Sequence, residues 1–209
     1  MVKNIIIDTG CANLFSVESA IKRLGYPVDI SDDPKIISQA DKVFLPGVGN
    51  ARHAMKNIRQ KHLEATIKAL QQPVLGFCLG MQLMAESSTE GVKPSTEGAA
   101  GEARQVNGLN VIPTRISPLQ ARGKRLPHMG WNTLTSVTEH PVLTGIKPGD
   151  YFYFVHSFAA PVSEFTVASC EYGSTFSAAI AKDNFIGCQF HPERSGALGR
   201  KIIENFLEL

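Results

Sequence analysis

The sequence predicts an α/β protein with a mostly parallel central sheet flanked by helices, and antiparallel additions to that sheet. Three observations carry this. Through residues 3–84, short apolar runs alternate with helical patterns. The runs are apolar at nearly every position, so both faces of the sheet are covered. After a polar stretch at 86–102, strand-like runs follow one another with turn residues between several of them, which adds antiparallel strands.

"KNIIID" (3–8) reads as a buried strand. In "ANLFSVESAIKRLG" (12–25), Leu14, Val17, Ile21 and Leu24 share one helical face, with Asn13 as N-cap and Gly25 as the stop. "DKVFLP" is a second strand. Residues 51–70 form one helical pattern through Ala54, Met55, Ile58, Ile67 and Leu70. "PVLGF" is the next strand and "LGMQLMAES" (79–87) the next helix. "ESSTEGVKPSTEGAAGE" (86–102) reads as a loop or flap. Strands follow at "LNVIPTRI", "YFYFVHSFAA", "FTVASC", "SAAIAK" and "NFIGCQF". A last helix, "GALGRKIIENFLEL", carries Ile202, Ile203, Phe206 and Leu207 on its apolar side. Neither a repeat nor a linker divides the chain, so residues 1–209 read as a single domain.

Hydrophobic residues at 43% and charged residues at 19% fit a globular chain. A net charge of +2 says little about partners, and nucleic-acid binders usually show a concentrated basic face. Arg122, Lys124 and Arg125 form the one basic knot, either a solvated loop or an anion or partner patch. The four cysteines show neither CxxC nor metal spacing, which points to a reducing compartment. No apolar run approaches the ~18 residues of a membrane span. The start lacks a signal-peptide pattern. The expectation is a cytoplasmic protein that binds neither membrane nor nucleic acid.

"GFCLG" (76–80) puts Cys78 between two glycines where an apolar run meets a helical pattern. Such a cysteine is either packing or a nucleophile. The pattern parallels the G-x-S-x-G elbow, in which a strained strand-to-helix turn exposes the nucleophile. A helix N-terminus there favours thiolate, and the Leu79 amide can help hold an oxyanion. Cys11, Cys170 and Cys188 lack that setting and read as structural. A nucleophile needs a base, and the base an orienter. "FHPE" supplies His191, which Pro192 keeps extended, and Glu193 two residues on, on the same side of an extended chain. The bland alternative for that pair is a solvated strand end. "PGVGN" (46–50) follows a strand and is either a plain turn or a source of oxyanion-binding amides. His128 and His156 read as structural or site-lining.

Taken together, "PGVG", "GFCLGMQ" and "QFHPE" resemble the triad-type (class I) glutamine amidotransferases, in the family's order and across nearly the whole chain. "NLFSVESAI", "LPHMGWN", "YFYFVHSF" and "HPERSG" narrow the resemblance to glutaminase subunits of imidazole glycerol phosphate synthase. The resemblance implies a flavodoxin-like fold with Cys78 as nucleophile, His191 as base and then acid, and Glu193 as orienter. It implies oxyanion and substrate binding by Gly47, Val48, Gly49, Asn50, Leu79 and Gln82. No metal or redox cofactor is implied. The implied partner is a (β/α)₈ cyclase subunit in a heterodimer, with Asn13, Met129, Trp131, Asn132 and Arg194 at the interface. Thr9, Ala12 and Arg194 replace residues common in the family, and "NARHAM" lacks the aromatic that often follows the PGVG loop. These differences fall on loop geometry and partner fit, because the catalytic motifs match.

Overall fold

The computed structural model describes residues 2–91 and 105–209. The parallel half of the main sheet is built from β1 (Asn4–Ile7), β2 (Asp29–Ser31), β3 (Lys42–Gly47), β4 (Val74–Cys78) and β13 (Phe185–Cys188). The antiparallel half adds β12 (Ser174–Lys182), β11 (Thr166–Tyr172), β8 (His128–Val137) and β9 (Tyr151–His156). The nine strands lie in the order β2-β1-β3-β4-β13-β12-β11-β8-β9. The predicted class, α/β with a parallel sheet and antiparallel additions, is the observed one, but the main sheet is half rather than mostly parallel, with four parallel and four antiparallel pairings.

Side-chain alternation explains why the central strands are apolar throughout. Ile5, Ile7, Val43 and Leu45 enter one core with Met55, Ile58 and Ile67. Ile6, Phe44, Leu75 and Phe77 enter the other with Val17, Ile21, Ile202 and Phe206. Two helical layers cover the faces. One holds α1 (Leu14–Arg23) and α6 (Gly196–Leu207). The other holds α3 (Ala51–Gln60) and α4 (Leu63–Lys68), with α2 (Pro34–Ser38) beside them. Asn13 caps α1 by accepting from the Ser16 N–H, and Gly25 just past its end has φ +86°. Both α1 signals are as the sequence predicts.

Three predicted elements differ. The helix over 51–70 is two helices, because His62 takes a left-handed conformation (φ 57°) between them. The helix from Leu79 is only α5 (Leu79–Leu83), and the chain then becomes strand β5 (Ala85–Ser88). β5 lies between β6 (Val106–Asn107) and β7 (Ile112–Pro118) in a small second sheet, β10-β7-β5-β6, where β10 is Phe158–Ala159. Backbone pairing there overrides the helical pattern of "MAES". It also removes residues 86–88 from the expected flap, most of which (92–102) lies outside the described residues. The short β2 and α2 and the long β8 were not among the predicted elements.

Register places the site. Gly47 pairs with Cys78 across β3 and β4, and Cys188 pairs with Phe77 across β13 and β4. The PGVG loop, the cysteine elbow and the HPE segment therefore leave three adjacent parallel strands at their C-terminal ends, where ligands bind in open α/β sheets.

Candidate active site

Cys78 ends β4 with φ 50° and ψ −109°, a strained conformation for a residue with a Cβ. The elbow is held by close packing against β3. A Cβ on Gly80 would sit 1.7 Å from the Leu45 carbonyl oxygen, so only glycine lets α5 lie that close. The predicted sharp strand-to-helix turn at Cys78 is thus present, leading into a helix of five residues.

His191 leaves β13 in extended conformation, as predicted, and its amide donates to the Tyr153 carbonyl. Glu193 reaches it by a different route from the one expected. Pro192–Arg194 form a 3-10 turn, and this turn brings Glu193 Oε1 to 2.8 Å from His191 Nδ1. Both side chains are buried. Among the described residues, nothing hydrogen-bonds His191 Nε2 or Glu193 Oε2. Burial pushes the imidazole pKa down, but the nearby Cys78 sulfur and the hydrogen-bonded Glu193 carboxylate more than offset this and hold it up at about 10.

These groups line one cleft of about 270 Å³. Cys78, Leu79, Gln82, His191 and Glu193 share it with Val48 and Gly49 of the loop, and with Asn13 and Arg194. Gly47 and Asn50 lie beside the wall instead. Gly47 packs on α5, and Asn50 Oδ1 caps α3 by accepting from the His53 N–H at 2.9 Å. The Val48 N–H donates to the Cys11 carbonyl (2.8 Å), so this amide is committed away from the sulfur. Gly49, with φ +95° and open space around it, lets the loop adopt this turn.

Gln82 Nε2 donates to the Phe158 carbonyl and to Gln189 Oε1, both at 2.9 Å. Cys78 Sγ lies 3.7 Å from both the Val155 carbonyl and Gln189 Nε2. Glu90 and Gln189 were not picked out from the sequence, whereas His156, in the Val155–Phe158 wall of the cleft, is one of the two histidines read as structural or site-lining. Glu90 lines the cleft and accepts from the Ala51 N–H at 3.0 Å, while burial pushes its carboxyl pKa up. It sits in a stretch whose composition signals only a loop. Burial also raises Cys170, to about 12, and Cys188, as befits structural thiols.

Met129 and Trp131 stand exposed on β8, 62% and 55% accessible, beside the half-exposed Asn132. Arg194 lies over the Tyr153 ring, 4.8 Å from its centroid. Among the described residues no cluster of His, Cys, Asp and Glu suits a metal, and no helix is long and apolar enough to cross a membrane.

Comparison with known proteins shows the family and the fold. The family model for class-I glutamine amidotransferases matches residues 5–209. The chain is 70% identical to the imidazole glycerol phosphate synthase subunit HisH of Colwellia psychrerythraea, over 99% of this chain and 93% of that protein. It is 50% identical to the subunit of the same name from Vibrio cholerae, with both chains fully covered. A solved glutamine amidotransferase superposes with a TM-score of 0.71 at 16% identity, covering 100% of this chain and 98% of the other. One from Thermotoga maritima gives 0.64 at 16% identity, covering 99% and 83%.

Proposed function

The chain belongs to the class-I glutamine amidotransferase family, and from that premise we propose that it is the glutaminase subunit of imidazole glycerol phosphate synthase. In this reading it hydrolyses glutamine to glutamate and ammonia. A cyclase subunit uses the ammonia to make imidazole glycerol phosphate and AICAR from PRFAR in histidine biosynthesis. The observation that carries the chemistry is the buried His191–Glu193 pair at 2.8 Å, in the cleft that holds Cys78, with no hydrogen-bond partner on Nε2 among the described residues.

The Cys78 sulfur, as thiolate, attacks the side-chain amide carbon of glutamine and forms a C–S bond. His191 Nε2 gives its proton to the departing nitrogen, the C–N bond breaks, and ammonia leaves. His191 then takes a proton from water, which attacks the γ-glutamyl thioester. Glutamate leaves, and the proton returns to the sulfur. Glu193 accepts the Nδ1–H throughout, which fixes the tautomer and stabilises the imidazolium. The Leu79 amide opens α5 and suits the developing oxyanion. Gln82 holds substrate, and the Glu90 carboxylate suits its α-ammonium.

Val48 supports a gated reaction. Its N–H is tied to the Cys11 carbonyl, so one oxyanion donor is withheld until the Gly47–Asn50 loop rearranges. Docking of the (β/α)₈ cyclase as a heterodimer would supply that rearrangement, and the chain alone would be nearly inactive. The exposed Met129 and Trp131, with Asn13, Asn132 and Arg194, form the face proposed to receive it. A single domain over residues 1–209 and a cytoplasmic site complete the proposal. The family match over 5–209 supports the first. Mass spectrometry of the acid-quenched complex with glutamine tests the chemistry. A γ-glutamyl group on the Cys78 peptide is expected, and turnover without any such adduct would remove Cys78 as nucleophile.

A further inference from the structure

A chain of hydrogen bonds with a single possible polarity runs from β8 into the wall of the cleft. Its start is fixed by backbone. The Thr133 N–H donates to Asn132 Oδ1 (2.8 Å), so the Asn132 amide nitrogen is the atom facing the Glu171 carbonyl (3.0 Å) and His128 Nε2 (3.2 Å). Its far end is fixed too. A carbonyl oxygen can only accept, so His156 Nδ1, 2.8 Å from the Phe158 oxygen, carries a hydrogen. A neutral imidazole has one N–H, so His156 Nε2 accepts, and His128 Nδ1 at 3.0 Å must donate to it. His128 Nε2 is then an acceptor, which matches the Asn132 amide. His128 and His156 are directly opposed across β8 and β9. His128 is also stacked with both Phe154 and Tyr172, at 4.9 and 4.1 Å between centroids.

Both rings stay neutral. Burial is the main cause, pushing His128 down to about 4 with help from Lys124. It pushes His156 to about 3, against the Phe158 carbonyl and with help from His128 and His191. The Phe158 carbonyl is a shared point. Gln82 also donates to it, Gln82 donates on to Gln189, and Gln189 Nε2 faces the Cys78 sulfur.

We propose that His156 is a positioning residue. Its Nδ1–H, oriented through His128 by Asn132, pins the carbonyl against which Gln82 and Gln189 are set, and so places the Cys78 sulfur. The inference rests on reading Cys78 as the glutaminase nucleophile.

Two substitutions separate the two ring nitrogens. His156→Asn keeps an amide donor near the Nδ1 position. His156→Gln places its amide near Nε2 and leaves the Phe158 carbonyl without that donor. In the complex with the cyclase, H156N is expected to keep most of its kcat, whereas H156Q loses about 10- to 100-fold, more in kcat than in KM. A mere packing role would weaken both variants alike, and equal losses or no loss would overturn the proposal. ¹⁵N NMR of the wild-type histidines at neutral pH gives a second readout that needs no variant to fold. Neutral Nδ1–H tautomers on both rings are expected, and an Nε2–H tautomer on either overturns it. A wild-type complex that hydrolyses no glutamine would sink the underlying reading together with this inference. A working wild type with the wrong tautomers would sink the inference alone.

Discussion

Gly80→Ala is the sharpest perturbation of the elbow. The added Cβ would lie 1.7 Å from the Leu45 carbonyl oxygen and 2.8 Å from its carbon. Contacts under 3.0 Å are essentially never seen, so relief needs a shift of about 1.3 Å (3.0 − 1.7). The obstacle is backbone of the central strand β3, so no side chain can swing aside. α5 must back away from β3 and take Cys78 and the Leu79 amide with it. Overpacking of this kind costs about 1–3 kcal/mol. For a chain of this size that is a Tm loss of roughly 2–12 °C. The misplacement of the nucleophile by about 1 Å costs on the order of 10²-fold in rate. Gly25→Ala is the control. Its Cβ meets nothing within 4 Å, but its φ is +86°. It therefore bears only left-handed strain, about 1–2 kcal/mol, with unchanged activity. Thermal unfolding and glutamine hydrolysis with the cyclase read both effects. A G80A protein with wild-type Tm and turnover would refute the close-packing account of the elbow.

Glu193→Gln keeps the shape of the orienter but removes its charge. It is expected to lower kcat by about 10²–10⁴-fold with little change in fold, which steady-state kinetics and circular dichroism check together. The Val48 amide, bonded to the Cys11 carbonyl, should exchange slowly with deuterium in the isolated chain and faster once cyclase and glutamine are bound. Equal rates in both states would end the gating proposal. Stability should fall in acid through His128 and His156. Their folded pKa values are depressed, to about 4 and about 3 from 6.5, so the unfolded chain binds more protons as pH drops below about 6.5. Their contribution is full above 6.5 and lost on the way down to 3–4. Denaturant melts across that range should show a shallower acid slope for His156→Asn.

Much of this was legible in the sequence, for identifiable reasons. β1, β3 and β4 are buried on both faces, so their residues are apolar without alternation and the runs stand out. Asn13 and Gly25 mark α1 because capping is local chemistry. The break at His62 was hidden, because an isolated left-handed residue leaves the apolar spacing on either side intact. β5 was hidden because "AESS" is strand only by pairing with β6 and β7, which are distant in sequence. Cys78, His191 and Glu193 stood out as candidates because the two-glycine elbow and the H-P-E run are local motifs, although the 3-10 turn that brings Glu193 to His191 was not foreseen. The Asn132–His128–His156 relay was not, because it depends on cross-strand register. Nor was the commitment of the Val48 amide to Cys11, which joins two loops far apart in the chain.

The most direct test of the central claim is ammonia release from glutamine, measured for this chain alone and with the cyclase subunit plus its nucleotide substrate. Release that depends on the cyclase and disappears in Cys78→Ser is the predicted result. Equal release from the chain alone, or undiminished release from Cys78→Ser, would contradict it.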